Sequence, residues 1–273
     1  MKTRLPHVAA PTLALVVALA TGAAAAERIL PVEGGWAPLQ VYQVPESSGT
    51  DYTDAHCYLF CDPPSGEAMV VDAGVRSGPL ALERAASLGV RIALVVSTHF
   101  HADHSGGNAL MLSRTSARMA APAREAPLLL GEGLSAADKK EMVCAITPRV
   151  DLRVKHGEEL KLGAHSIRVI ELGGHSPAGI ALHMPAQKLL VAGDSLLSGG
   201  IARTGIPHAT KTHEPLVAAI RQKLLALPDD TKVLPGHGPA TTIGAERATN
   251  PWLQAPAKAE KAKETPRPGT KKG

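Results

Sequence analysis

The segment 97–107 constrains this chain more than any other part of its sequence. Four side chains of the kinds that bind metal ions lie within six residues there: His99, His101, Asp103 and His104. They follow the apolar run 92–96, whose short length, β-branched side chains and polar boundaries predict a buried strand. We therefore expect the cluster on the loop that leaves the C-terminal end of a strand, where α/β sheets usually carry their sites.

The spacing of these four residues has a chemical meaning. His99 and His101 are two positions apart, so in extended backbone their side chains point to the same side and can chelate one ion. Asp103 and His104 follow where the chain turns toward a helix, and they can reach a second ion nearby. Imidazole and carboxylate ligands without a thiolate suit zinc, iron or manganese. The pattern therefore predicts a metal centre.

Three more residues of these types occur later, each directly after a predicted strand: His175, Asp194 and His237. His175 follows two glycines and His237 lies between two, and glycine lets the backbone approach a site closely. One such residue alone would more often be structural. Three of them, together with the first loop, favour a shared site.

These motifs resemble those of a known family. The His-x-His-x-Asp-His run at 99–104 is similar to the signature of the metallo-β-lactamase-fold hydrolases, and the segments 173–179, 191–196 and 234–239 resemble its later motifs in the same order. The resemblance spans about residues 28 to 253. It is strongest to the glyoxalase II (hydroxyacylglutathione hydrolase-like) branch, because the ending 236–247, with 250–253, is similar to that of short bacterial members.

The resemblance implies an α/β fold, the αββα four-layer sandwich, and the alternation of helices with mixed strands in two similar halves agrees with it. It also implies two divalent metal ions, with zinc favoured and iron or manganese compatible. One ion would be bound by His99, His101 and His175, and the other by Asp103, His104 and His237. Asp194 would bridge the two ions, and Asp72 would support the first metal loop.

The implied reaction is hydrolysis of a thioester in a small-molecule substrate. Two adjacent cations lower the pKa of a bridging water toward neutrality and so supply hydroxide as the nucleophile, with Asp103 as a ligand that is also catalytic. A thiolate leaves readily because the pKa of its thiol is about 8.5. In the family, a Gly-x-Gly-(Lys or Arg) element holds a glutathione carboxylate. The matching residues here are Gly-Ile-Ala-Arg at 200–203, which makes Arg203 the predicted substrate-binding residue.

Several alternatives remain open at this stage. A β-lactamase or a lactonase of the same fold would use the same metal ligands. A non-catalytic periplasmic metal-binding protein is the alternative of another class, although a complete ligand set with a bridging aspartate is what hydrolysis requires. Arg203 could instead form a surface salt bridge.

The two ends of the chain differ from its body. Lys2 and Arg4 precede an apolar stretch at 13–20 and an alanine run at 23–26, which predicts a signal peptide at 1–26 and a periplasmic or secreted protein. The hydrolase domain is then 27–253, and 254–273 is a Lys-rich tail predicted to be disordered. The signal carries a charge of +2 and the tail +4, so the total of +4 leaves −2 for the body.

Charge and cysteine content exclude some partners and linkages. No basic patch is interleaved with aromatic residues, so nucleic acid is not an expected partner, and no membrane contact is expected after signal cleavage. The chain has three cysteines, Cys57, Cys61 and Cys144. If Cys57 and Cys61 share a strand they are about 13 Å apart, beyond the reach of a disulfide. We expect all three to be buried thiols.

Local patterns predict the elements between the motifs. Helices are expected at 80–88, 213–227 and 243–249, and a hairpin at 56–71. Pro122 is expected to begin a short helix and Ser135 to cap another.

Overall fold

The computed structural model describes residues 29–48, 53–134 and 146–254. The body of the chain forms two β-sheets that pack face to face, with helices against the outer face of each. The predicted αββα sandwich is confirmed. The predicted signal peptide, most of the Lys-rich tail, Cys144 and the predicted cap Ser135 lie outside the described residues.

The first sheet has seven strands. It is antiparallel on the side of the N-terminal strands and parallel on the other. In spatial order the strands are Leu30–Pro31, Gln40–Val44, Cys57–Asp62, Glu67–Val71, Arg91–Val96, Arg118–Pro122 and Leu152–Val154.

The second sheet has six strands, and one pair of them, Leu189–Gly193 with Lys232–Pro235, is parallel. In spatial order the strands are Glu159–Leu162, His165–Glu171, Ile180–Met184, Leu189–Gly193, Lys232–Pro235 and Thr241–Thr242. Two small ribbons stand apart from the main sheets: Ser47–Ser48 with Thr53–Asp54, and Leu196–Leu197 with Gly200–Ile201.

The helices cover the outer faces. Ser77–Ser87 and Asn108–Arg114 pack on the first sheet, while Glu214–Ala219 and Ile243–Thr249 pack on the second. The shorter helical segments are Ala102–Ser105, Ala126–Leu129, the 3₁₀ turn Pro185–Gln187 and the π-helical turn Ile220–Leu224. Within the described ranges, no helix has both the length and the apolar character needed to cross a bilayer.

The strand Cys57–Asp62 explains how the core is layered. Tyr58 and Phe60 point into the core between the sheets, whereas Cys57, Leu59 and Cys61 point into the core beneath the helices. Both faces of this central strand are buried, which is why its sequence is almost continuously apolar. Cys57 and Cys61 are buried free thiols, as predicted.

The predicted helix 80–88 is present as Ser77–Ser87, and two other predicted elements differ more from the structure. Pro122 does not begin a helix but ends the strand Arg118–Pro122. Pro122 still pairs with Val154 on one side, but on the other side the pairing with the strand Arg91–Val96 has ended at Ala120. No acceptor on that side needs the amide hydrogen that proline lacks. The predicted helix 213–227 is an α-helix only over Glu214–Ala219, and it continues as the π-helical turn Ile220–Leu224.

We predict that Tyr58→Phe lowers the free energy of unfolding by about 1–2 kcal/mol, because the buried carbonyl of Pro235 then loses its partner. The Tyr58 hydroxyl donates to that carbonyl at 2.7 Å and so ties the first sheet to the second. Urea denaturation of the metal-free protein measures the change. Tyr42→Phe is the matched control, since within the described ranges that hydroxyl bonds only to Gln40 in its own strand. Equal losses for both variants would contradict the prediction.

Candidate metal centre

The structure brings the seven predicted ligand residues to one place. Three overlapping groups of these residues have ligand atoms within 4.8 Å of one another, and together the groups contain His99, His101, Asp103, His104, His175, Asp194 and His237. The loops that carry them follow the strands Arg91–Val96, His165–Glu171, Leu189–Gly193 and Lys232–Pro235. The convergence of strand ends predicted from the sequence is therefore present.

His99, His101 and His175 form what we call the histidine group. Nε2 of His99 and Nε2 of His175 each lie 2.9 Å from Nδ1 of His101. Burial lowers the pKa of His99 well below its usual value and that of His101 to about 3. These low pKa values of His99 and His101 favour the uncharged ring, which is the form of imidazole that binds a metal ion.

Asp103, His104 and His237 form what we call the aspartate group. Oδ2 of Asp103 lies 3.2 Å from Nε2 of His237 and 3.7 Å from Nε2 of His104. The hydrogen bond to Asp103 raises the pKa of His237 to about 9. Burial would raise the pKa of Asp103, but the neighbouring His104 and His237 outweigh it and lower that pKa. This group combines one anionic oxygen with two imidazoles, and a cation that binds here must displace the proton that the raised pKa keeps on His237.

The carboxylate of Asp194 faces both groups. Its Oδ1 lies 3.3 Å from Nε2 of His104, and its Oδ2 lies 3.6 Å from Nε2 of His175 and 3.6 Å from Nε2 of His237. One carboxylate thus meets the histidine group at His175 and the aspartate group at His104 and His237. This is the position that a bridging ligand requires.

The donor set fits a bound cation. Nε2 of His104 and Oδ1 of Asp194 are buried and lie 3.3 Å apart, but neither has a partner with hydrogen-bond geometry among the described residues. Buried polar atoms without partners are rare in folded proteins. A metal ion at this place would satisfy both atoms. Gly236 keeps the space open, because a Cβ there would collide with Asp194 and His104.

Contacts on the far side of the rings orient three of the histidines. Nδ1 of His99 lies 3.1 Å from Oγ1 of Thr98, and Nδ1 of His175 lies 2.7 Å from the carbonyl oxygen of Arg203. Nδ1 of His104 lies 3.0 Å from Oδ2 of Asp72. With Nδ1 held in this way, Nε2 of each ring is left to face the centre.

Asp72 supports the first metal loop, as the sequence predicted. Its carboxylate accepts from the amide of Thr98 at 2.7 Å and from the hydroxyl of Thr98 at 2.8 Å, in addition to its contact with His104. Asp72 has a φ of 58°, in the left-handed region that residues other than glycine rarely adopt. The hydrogen bonds from Thr98 and His104 that fix the loop also hold Asp72 in this backbone conformation.

Glu125 is a second supporting carboxylate, and the sequence analysis missed it. It is fully buried and accepts from the amide of Phe100 at 2.9 Å, the hydroxyl of Ser176 at 2.5 Å and the amide of Ala178 at 2.7 Å. It therefore joins the loop of His99 and His101 to the loop of His175. No spacing or motif in the sequence distinguishes Glu125 from other glutamates.

Arg203 and two histidines outside the ligand set lie in different places around the centre. The Arg203 side chain is exposed and makes no hydrogen bond or ion pair with any part of the chain that the structure describes, so the alternative of a salt bridge is not seen there. His208 packs edge-on against Phe100, in the first metal loop, with ring centres 5.4 Å apart. His56 contacts the loop of His237 together with Glu46.

Comparisons with known proteins identify a family and relatives that this chain resembles. A family model described as the metallo-beta-lactamase superfamily matches residues 51–237. The hydroxyacylglutathione hydrolase GloC of Haemophilus influenzae is 31% identical over 73% of this chain and 93% of its own length.

Two solved structures extend the comparison. The B3 metallo-beta-lactamase BLEG-1 superposes with a TM-score of 0.69 at 25% identity and covers 79% of this chain and 100% of its own. The protein TTHA1623 in a di-iron-bound form superposes with a TM-score of 0.59 at 28% identity and covers 82% of this chain and 100% of its own.

We predict that Glu125→Gln costs more stability at pH 5 than at pH 8. Burial raises the pKa of Glu125 to about 7, above its ordinary value of 4.5, although its three hydrogen bonds act to lower it. Between these two values the folded protein binds more protons than the unfolded chain, so the contribution of Glu125 to stability falls as pH rises. The loss in the free energy of unfolding caused by Glu125→Gln is therefore about 2–3 kcal/mol larger at pH 5 than at pH 8.

Urea denaturation of the metal-free wild type and variant at both pH values measures this difference. Glu67→Gln is the control, because Glu67 pairs with Arg91 at the surface, away from the centre. A cost of Glu125→Gln that is the same at pH 5 and pH 8 would contradict the prediction.

Proposed function

The chain belongs to the metallo-beta-lactamase superfamily, in its glyoxalase II-like branch, and we propose that it is a two-metal hydrolase that cleaves thioesters. That it is a metal-dependent hydrolase follows from the family. The number of ions, the substrate class and the residue roles are our proposal. The observation that carries it is the Asp194 carboxylate, whose oxygens face histidines of both groups.

We assign the ligands according to these groups. The histidine group would hold one divalent ion and the aspartate group the other, with Asp194 shared between them. Zinc is the expected ion because it favours imidazole and carboxylate ligands, and iron fits the same donors. The di-iron form of TTHA1623 supports iron as the alternative.

The protein's own residues prepare the centre for hydrolysis. When bound, divalent ions acidify water and polarise a carbonyl group. Asp103 and Asp194 offset the positive charge, and Asp72 and Thr98 hold the first loop so that its imidazoles keep one orientation. Glu125 holds the His175 loop against the first loop. No serine or cysteine nucleophile is needed.

A thioester is the substrate class that this arrangement favours. The ring nitrogens that face the centre serve as ligands in this proposal, so a leaving group that needs no proton donor fits best. A thiolate leaves without protonation, whereas the amine of an opened β-lactam requires a proton. The similarity to the hydroxyacylglutathione hydrolase of Haemophilus influenzae supports the same class.

Arg203 is the proposed substrate-binding residue. Its carbonyl oxygen accepts the hydrogen bond from Nδ1 of His175, so its backbone is tied to the edge of the centre. Its guanidinium group has no partner among the described residues and is exposed to solvent. A carboxylate on the thiol part of the substrate would pair with it.

We also propose that the protein is exported. The segment 1–26 has the composition of a cleaved signal peptide, which makes 27–253 the catalytic domain and 254–273 a tail. The mature protein would act in the periplasm or outside the cell, on a small molecule.

The second candidate is a β-lactamase of the same fold. The structural similarity to the B3 metallo-beta-lactamase BLEG-1 favours it specifically. A lactonase would use the same ligands and hydrolyse lactones. A non-catalytic metal-binding protein would use the same ligands and hydrolyse no substrate.

The deciding experiment compares two substrates. Metal-loaded protein should hydrolyse S-lactoylglutathione, and Asp103→Ala should reduce that rate by at least about 100-fold, because it removes a ligand of the aspartate group. Nitrocefin is assayed in parallel. Turnover of nitrocefin alone would replace the thioesterase proposal with a β-lactamase. Metal-loaded protein that is inert toward both substrates and toward lactones would favour the non-catalytic alternative.

A separate prediction concerns Arg203. Arg203→Ala should raise KM for an anionic thioester about tenfold or more and leave kcat nearly unchanged, since a hydrogen-bonded charge pair contributes about 1.5–3 kcal/mol and acts equally in the ground and transition states. Steady-state kinetics measure both constants. Arg114→Ala removes a positive charge from a helix on the outer face and should change neither. An unchanged KM in Arg203→Ala would rule out the assigned role.

A further inference from the structure

A carboxylate outside the ligand set contacts His237. Glu46 follows the strand Gln40–Val44, and its Oε2 lies 2.7 Å from Nδ1 of His237. Its Oε1 accepts from the amide of Gly238 at 3.1 Å. The two oxygens of one side chain therefore hold two successive residues of the loop that carries a predicted ligand.

His56 fixes the position of Glu46. The amide of Glu46 donates to Nδ1 of His56 at 2.6 Å, so that nitrogen is an acceptor and the ring proton is on Nε2. Nε2 donates to the carbonyl oxygen of Gly238 at 2.8 Å, and the backbone amide of His56 donates to the carbonyl oxygen of Gly236 at 2.8 Å. The loop 236–238 is thus held at each of its three residues by Glu46 and His56.

The atoms that contact the outer ring nitrogens differ in charge between the two groups. In the histidine group, the outer nitrogens of His99 and His175 meet neutral oxygens, those of Thr98 and Arg203. In the aspartate group, the outer nitrogens of both imidazoles meet carboxylates. Asp72 contacts His104, and Glu46 contacts His237.

We infer that Glu46 is a positioning residue that strengthens metal binding by the aspartate group alone, with His56 as its support. The inference rests on the proposed two-metal centre. A carboxylate that accepts from Nδ1–H keeps the remaining ring proton on Nδ1 when a cation takes the place of the one on Nε2. It also orients the ring and makes Nε2 a better donor to that cation. The loss of Glu46 should therefore weaken one binding position and leave the other unchanged.

The experiment first disables one metal-binding group, so that the other is studied alone, and then changes Glu46. His101→Ala disables the histidine group and leaves the aspartate group, and Asp103→Ala does the reverse. Zinc affinity is measured in each background by competition with a chromophoric chelator. We expect Glu46→Gln to weaken zinc binding about 10–100-fold in the His101→Ala background and to leave it unchanged in the Asp103→Ala background.

Matched variants separate positioning from general damage. Glu67→Gln removes the same charge from a surface ion pair with Arg91 and should change neither affinity. Glu46→Ala should weaken zinc binding more than Glu46→Gln, because glutamine keeps an acceptor for one of the two donors. His56→Ala should weaken the same position. When Glu46→Gln is made in the otherwise wild-type protein, the absorption of cobalt(II) bound by the aspartate group should change. The absorption of cobalt(II) bound by the histidine group should not.

The outcomes distinguish this inference from the proposed function. Wild-type protein that binds two zinc ions while Glu46→Gln binds both with unchanged affinity would overturn the role of Glu46 and leave the two-metal centre standing. Equal weakening in both backgrounds would also overturn it, since that result indicates a general structural loss. Wild-type protein that binds fewer than two ions would overturn the proposed two-metal centre and, with it, this inference.

Discussion

The largely buried carboxylate of Asp194 is the group on which the arrangement of the centre depends. An anion inside a protein is costly unless cations or hydrogen-bond donors surround it. Its neighbours here are His104, His175 and His237, which come from three different loops, and its Oδ1 has no hydrogen-bond partner among the described residues. Strands of both sheets must therefore end at the same edge of the sandwich, since neither sheet alone carries all of these residues.

Carboxylates that bind no metal in our proposal hold these loops in place. Asp72 fixes the loop of His104, Glu125 joins the first loop to that of His175, and Glu46 contacts the loop of His237. A loop has no ladder of backbone hydrogen bonds to fix its shape, so a side chain with several acceptor positions takes over that task. The orientation of each imidazole then depends on the fold that positions these acids.

The fold was predictable because its elements have local causes. The run 92–96 predicted a buried strand, and the structure has the strand Arg91–Val96 there. The helix Ile243–Thr249 matched its predicted bounds, with Thr242 accepting from the amide of Ala245 as its cap. Pro122 was predicted wrongly, because whether its missing amide hydrogen matters depends on where the strand Arg91–Val96 stops pairing with the strand that Pro122 ends. That is a property of the sheet, which the local sequence does not contain.

By itself, the sequence determined the seven ligand-type residues and their order, because spacings such as His-x-His in extended backbone have chemical consequences wherever they occur. It also carried the motifs of the superfamily. Only the tertiary structure decided which side chains support the ligands. Glu46 and His237 are 191 positions apart, and Glu125 is 25 positions from Phe100. A hydrogen bond between residues so distant leaves no periodic pattern in the chain, so it becomes visible only when the two sheets have packed.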